Sequence, residues 1–170
     1  TGGYIDGNDY EDVVADNLTL IATTGIGYYE TLLTQVSSLD ATTTGEDAAI
    51  YIDEYDGLDS ITLKVNNSNV DIEFEDEDNY LALSVDGPGV LLYAYAPDTD
   101  ISVENTGGYI DGNDYEDVVA DNLTLIATTG IGYNYTLYTQ VSSLDATTTE
   151  ADAPIYIYEY DGLTSITLKV

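Results

Sequence analysis

The chain has 170 residues, 44% of them hydrophobic, and sets 33 acidic residues against two lysines, for a net charge of −31. That balance excludes nucleic acid and an anionic membrane surface as partners, because both are held through basic side chains. The 17 tyrosines and abundant Ile, Leu and Val exclude an acidic disordered tail, and the absence of cysteine excludes disulfides, thiolate metal sites and a thiol nucleophile.

Taken in order, the chain states one stretch twice. Thr106–Val170 repeats Thr1–Val65, 105 residues further on; the first 28 residues of the copies are identical and eight later positions differ. Residues 1–105 are therefore read as one complete repeat unit and 106–170 as a second, partial one, equivalent to 1–65, within one continuous structure cut from a longer array. Each copy opens on a Gly-containing acidic turn, Asp6 to Asp12 and Asp111 to Asp117. From Asn17 the apolar residues recur with period two: Leu18, Leu20 and Ala22, then Ile50 and Ile52, with Tyr51 and Asp53 opposed, then Ile61, Leu63 and Val65. The segment between the copies continues it with Val70, Ile72 and Phe74, then Leu81, Leu83 and Val85, then Ile101 and Val103. Such alternation predicts half-buried strands, and no window carries a helix face. Turns are expected at Asp56-Gly57, Asn66 to Asn69, Asp86 to Gly89 and Ala96-Pro97-Asp98.

Two all-β architectures fit. One is a β-solenoid, with coils of about 20 residues stacked in parallel. The other is a row of immunoglobulin-like β-sandwiches, which the Asp-Gly pairs favour as hairpin turns. Evenly spaced short strands with aliphatic inward residues, no Trp and a single Phe point to the solenoid.

The run Ala15-Asp-Asn-Leu-Thr-Leu-Ile-Ala-Thr-Thr-Gly-Ile-Gly27, then Leu33 to Thr42, then Ile50-Tyr-Ile-Asp-Glu-Tyr-Asp-Gly-Leu58, resembles repeats of giant bacterial surface proteins of the filamentous-haemagglutinin type. The likeness spans Ala15 to Val65 and its copy Ala120 to Val170. It implies a right-handed parallel β-helix, secretion, and an adhesive or fibrous role at the cell surface.

Candidate chemistry is sparse. With no histidine and no nucleotide motif, catalysis is not expected; paired carboxylates are plentiful, as in the run Glu73, Glu75, Asp76, Glu77 and Asp78, which is the set a carbohydrate-active β-helix enzyme would use. A hard cation such as calcium takes oxygen ligands of the kind the acidic turns provide, which makes Asp6, Asn8, Asp9, Asp12, Asp111, Asn113, Asp114 and Asp117 the candidate metal ligands. Stacked outward carboxylates one coil apart would also call for cations. Glycosylation sequons stand at Asn17, Asn66, Asn122 and Asn134. Tyr51, Tyr55, Tyr93 and Tyr95 are read as outward residues able to make lateral contacts. The expected function is a structural segment of an extracellular bacterial or archaeal surface fibre, with its own kind as partner, head to tail or in tandem. The alternative is the stalk of a cell-surface adhesin.

Overall fold

The computed structural model describes residues 3–8, 10–46, 48–55, 60–66, 69–75, 80–112 and 115–170, with side chains for all of these except 60, 66, 69–75, 80, 81 and 98. The chain is a parallel β-solenoid: 69% strand, with no helix among the described residues, stacked in about 7 turns. No helix of the described residues is long and apolar enough to cross a membrane. All strands join one 15-stranded sheet, and the paired strands run parallel throughout, so the hairpins of the sandwich alternative are not formed among the described residues.

Each coil contributes to three columns of pairing. The first aligns Ile5, Ile26, Ile50, Val70, Val90, Ile110, Ile131 and Ile155. The second aligns Val13, Thr34, Glu54, Phe74, Ala94, Val118, Thr139 and Glu159. The third aligns Leu18, Leu39, Ile61, Leu83, Val103, Leu125, Ala146 and Leu168. The step between coils runs from 20 residues (Ile50 to Val70) to 24 (Ile26 to Ile50).

The repeat length and the coil length agree. Five steps up the first column lead from Ile5 to Ile110, its own counterpart in the second copy. The second column closes in the same way, from Val13 to Val118. The third arrives at Leu125, two residues beyond Leu123, the counterpart of Leu18. A slip of two preserves the inward face because the side-chain period is two. Extra residues are taken up opposite Ala120–Asn122, where the lower coil runs from Ala96 to Asp100. Pro97 sits in this bulge, where its missing N–H costs no ladder bond. The turn expected at Ala96-Pro97-Asp98 is therefore a bulge inside one 17-residue strand, Gly89–Asn105. The strand Leu32–Glu46, 15 residues long, likewise passes from pairing with Ile50–Glu54 to pairing with Ser60–Asn66, with a register irregularity between Thr42 and Glu46, so strands are longer than their spacing in sequence predicts.

The interior is a stack of aliphatic side chains. Ile26, Ile50, Leu63, Val90, Leu92, Val103, Ile110, Leu125 and Ile131 are fully buried, each contributing roughly 1.5–3 kcal/mol by the usual transfer scale. Burial depends on the neighbouring coil: Ile61 and Leu63, beneath Leu83 and Val85, are 1% and 0% exposed, whereas their counterparts Ile166 and Leu168 are 56% and 53% exposed. Of the described positions that differ between copies, Ala49 alone is buried; the others lie at or near the surface.

Backbones approach closely at two corners. At the Gly-Ile-Gly turn, Gly27 and Gly132 have φ of 67° and 66°, and a Cβ there would strike the carbonyl of Tyr51 or Tyr156 one coil above. At the seam between the copies, Gly107 lies on Gly87 and Gly108 on the Pro88 carbonyl. Buried Asn105 closes this corner: its Oδ1 accepts from Gly107 N (3.1 Å) and Gly87 N (3.4 Å), while its Nδ2 donates to the Tyr109 carbonyl (2.8 Å). Pairing thus passes from one copy to the next.

Gly132→Ala should lower stability by about 2 kcal/mol or more, from left-handed strain and the clash with Tyr156. Gly162→Ala, at φ 91° but facing open space, should cost less. Thermal melts of the two variants give the comparison.

Candidate functional site

The acidic turns are built into the coil above them. Asp6 Oδ1 accepts from Tyr29 N (3.1 Å) and Asp12 Oδ2 from Leu33 N (3.0 Å). In the second copy both Asp111 oxygens accept from Asn134 N (3.2 and 3.3 Å), and Asp117 Oδ2 accepts from Tyr138 N (2.8 Å). Gly7 and Gly112 are required because a Cβ would meet the Asp12 or Asp117 carboxylate and the carbonyl of Thr31 or Thr136. Charge-assisted bonds of this kind are worth roughly 1.5–3 kcal/mol. The turn carboxylates therefore have a structural task, capping the N–H groups that follow the Gly-Ile-Gly turn. Asn8 is exposed; Asp9, Asn113 and Asp114 lie outside the described residues. Among the described residues no three acidic side chains gather around one point as ligands of a metal ion would.

A second set of polar groups points inward. Glu54 is fully buried: its Oε2 accepts from Thr34 Oγ1 (2.5 Å) and its Oε1 from Val36 N (3.1 Å). Glu159 repeats the arrangement with Thr139 Oγ1 (2.7 Å) and Val141 N (3.4 Å). A carboxylate in an aliphatic stack is tolerated only when donors meet its oxygens. The sequence reading missed this pair. The signal was there: the alternation Ile50, Ile52 extends to Glu54 on the inward face.

The sequons differ in what holds their amides. Asn122 Nδ2 donates to Asp100 Oδ1 (2.5 Å) and Asn134 Nδ2 to Asp111 Oδ2 (2.8 Å). Asn17 is exposed, and its Oδ1 accepts from Ser38 Oγ (2.6 Å). Asn66 ends a strand with its side chain outside the description. The Glu73 and Glu75 side chains and all of Asp76, Glu77 and Asp78 also lie outside it.

The outward faces keep like charges apart. In the strand register acidic residues stack on neutral ones or on lysine: Asp40 lies between Thr19 and Thr62, Asp145 between Thr124 and Thr167, and Asp86 on Lys64. Asp53 on Glu73 is the one acidic pair in that register, and in the second copy Tyr158 replaces Asp53. The expectation that carboxylates recur at every coil, about 4.8 Å apart, is thus corrected: among the paired described residues all others stand two or more coil heights apart along the stack.

The four tyrosines singled out in the sequence are placed as follows. Tyr51 and Tyr93 are half-buried, Tyr55 and Tyr95 about half exposed. By register Tyr51 stacks on Asp71, Tyr93 on Glu73 and Tyr95 on Glu75. Ring clusters form elsewhere. Tyr29 meets Tyr4 and Tyr28, each at 5.0 Å between centroids. In the second copy Tyr138, Tyr158 and Tyr160 form a triad with centroids 5.1–5.9 Å apart. The differences between copies make both: Tyr29 is replaced by Asn134, while Leu33 and Asp53 become Tyr138 and Tyr158. Desolvation pushes the Tyr109 phenol above its ordinary range, helped by Asp111 and Tyr135. The Tyr160 phenol is raised by desolvation too, then by Tyr138, Tyr158, Glu116 and Asp117.

No family model matches the chain, and no curated protein or solved structure matches it either.

Glu54→Ala should destabilise the fold by about 2–4 kcal/mol, since it orphans Thr34 Oγ1 and Val36 N. Glu54→Gln, which keeps one acceptor oxygen, should cost less; denaturant titration separates them. Tyr109 and Tyr160 keep their protons to higher pH in the folded chain than in the unfolded one, where tyrosine titrates near about 10. Their contribution is therefore fully present below that pH and is lost as pH rises through the folded values. Melts across the alkaline range should show stability falling from there, with late phenolate absorbance in the native state.

Proposed function

We propose that the chain is a structural repeat segment of an extracellular surface fibre of a bacterium or archaeon. The observation that carries this reading is the five-coil closure of two columns: Ile5 leads to Ile110 and Val13 to Val118, while the third slips by two residues and keeps its inward face, so a repeat stacks on a repeat with the core continuous. A solenoid is stabilised by its nearest-neighbour coils, and an open coil presents strand backbone that invites further pairing. A head-to-tail contact that does not close on itself extends into a filament. The likeness of Ala15–Val65 to surface-protein repeats supports the extracellular setting. The acidic outer face would hold fibres apart in solution, and tyrosines such as Tyr55 and Tyr95 would make lateral contacts once salt screens the charge. No catalytic role is proposed.

Electron microscopy of the native material tests this reading. With five coils per repeat at about 4.8 Å each, the axial period should be roughly 24 Å along uniform fibres. Single stalks of fixed length ending in a globular tip would instead favour the adhesin-stalk reading.

A further inference from the structure

We propose that Tyr138, Tyr158 and Tyr160 form a binding platform for a basic polypeptide segment, which they hold through its guanidinium and ammonium groups. The three rings form a triangle with centroid separations of 5.1, 5.6 and 5.9 Å, Tyr138 and Tyr160 lying 27° from parallel. Tyr158 and Tyr160 are 54% and 49% exposed and Tyr138 is half-buried; Tyr55, the counterpart of Tyr160, stays 50% exposed although the strand it follows has a further coil stacked on it, so outward tyrosines of this column remain open to solvent where the solenoid continues. An aromatic ring attracts a cation lying over its face within roughly 6 Å of the centroid; because Tyr158 is tilted 47° and 69° to its two neighbours, a guanidinium stacks on one ring face at a time with the other rings beside it. Exposed Glu116 stands directly beneath Tyr138 in the register and adds a carboxylate at the lower edge. The two lysines lie in another column, Lys64 on Thr42 and Lys169 on Thr147, so neither competes for the site.

Charge complementarity selects the occupant. A net charge of −31 draws basic segments toward this outward face and opposes the sideways approach of a second copy's acidic flank, while leaving end-to-end stacking of coils unaffected. A neutral polysaccharide would stack on the rings but gain nothing from that field or from Glu116. The Tyr160 phenol, raised above its ordinary range, stays protonated at neutral pH. The first copy carries Leu33, Asp53 and Tyr55 at the equivalent positions and so lacks the triad, which places the platform on one copy.

The first copy also supplies variants that the coil already accommodates. An oligoarginine peptide titrated into the whole chain at physiological salt should bind, and Tyr138→Leu and Tyr158→Asp should each weaken it about threefold or more. Melting curves confirm that the variants remain folded. Tyr158→Asp makes the protein more negative, so attraction by charge alone predicts equal or tighter binding; that result overturns the proposal. It is also overturned if a neutral soluble glucan binds and is lost in the same two variants while oligoarginine binding is unchanged, or if those variants abolish only self-association.

Discussion

Everything in this molecule rests on parallel backbone pairing between successive coils. The ladder fixes the coil height, and it sets each side chain directly above one residue and below another. A residue's environment is therefore decided by the residue one coil away, 20 to 24 positions along the chain, far more than by its neighbours in sequence. Aliphatic residues tolerate that arrangement at every level, because stacked Ile, Leu and Val fill a column without needing partners. Polar groups tolerate it only when the coil below or above offers a complement. Glu54 over Thr34, Asp12 beneath Leu33 N and Asn105 between Gly87 and Gly107 are three solutions of the same problem.

The same ladder manages the charge. A chain with 33 acidic residues on a stack of strands would place like charges at van der Waals range if they fell in line. The register interposes Thr, Tyr, Asn or Lys instead. Apart from Asp53 and Glu73, carboxylates in the paired register then stand at least two coil heights, about 9.6 Å, apart along the stack, which is beyond the screening length of about 8 Å at physiological salt. The fold thereby carries its acidic residues without a matching number of basic ones.

Two copies of one sequence in one molecule separate intrinsic from contextual effects. Asp6 and Asp12 are half-buried while Asp111 and Asp117 are buried, because only the second pair has a coil beneath it. Ile61 and Ile166 differ for the same reason at the other side of the coil. Where the copies differ in sequence, the changes fall mostly on outward positions, and there they move the aromatic cluster from the Gly-Ile-Gly turn to the second column without altering the inward stack.

The sequence by itself determined that the chain is all-β, that it repeats every 105 residues, and which aliphatic side chains face inward, because period-two alternation is a local property and Leu20, Ile50, Ile61, Leu83 and Val103 each satisfy it unaided. It also carried the inward placement of Glu54 in the same alternation, although a glutamate is not read as a core residue until its donors are seen. Only the tertiary structure decided that Asp86-Gly87 and Pro97 are a corner and a bulge of coils rather than hairpin turns, that the acidic turns cap the next coil, that most carboxylates in the paired register meet neutral residues, and that Tyr138, Tyr158 and Tyr160 meet. The physical reason is common to all four: they depend on the register between coils, which is set by corner geometry such as Gly132 and the Ala96–Asp100 bulge, and a shift of two residues there leaves the sequence pattern intact while exchanging every neighbour.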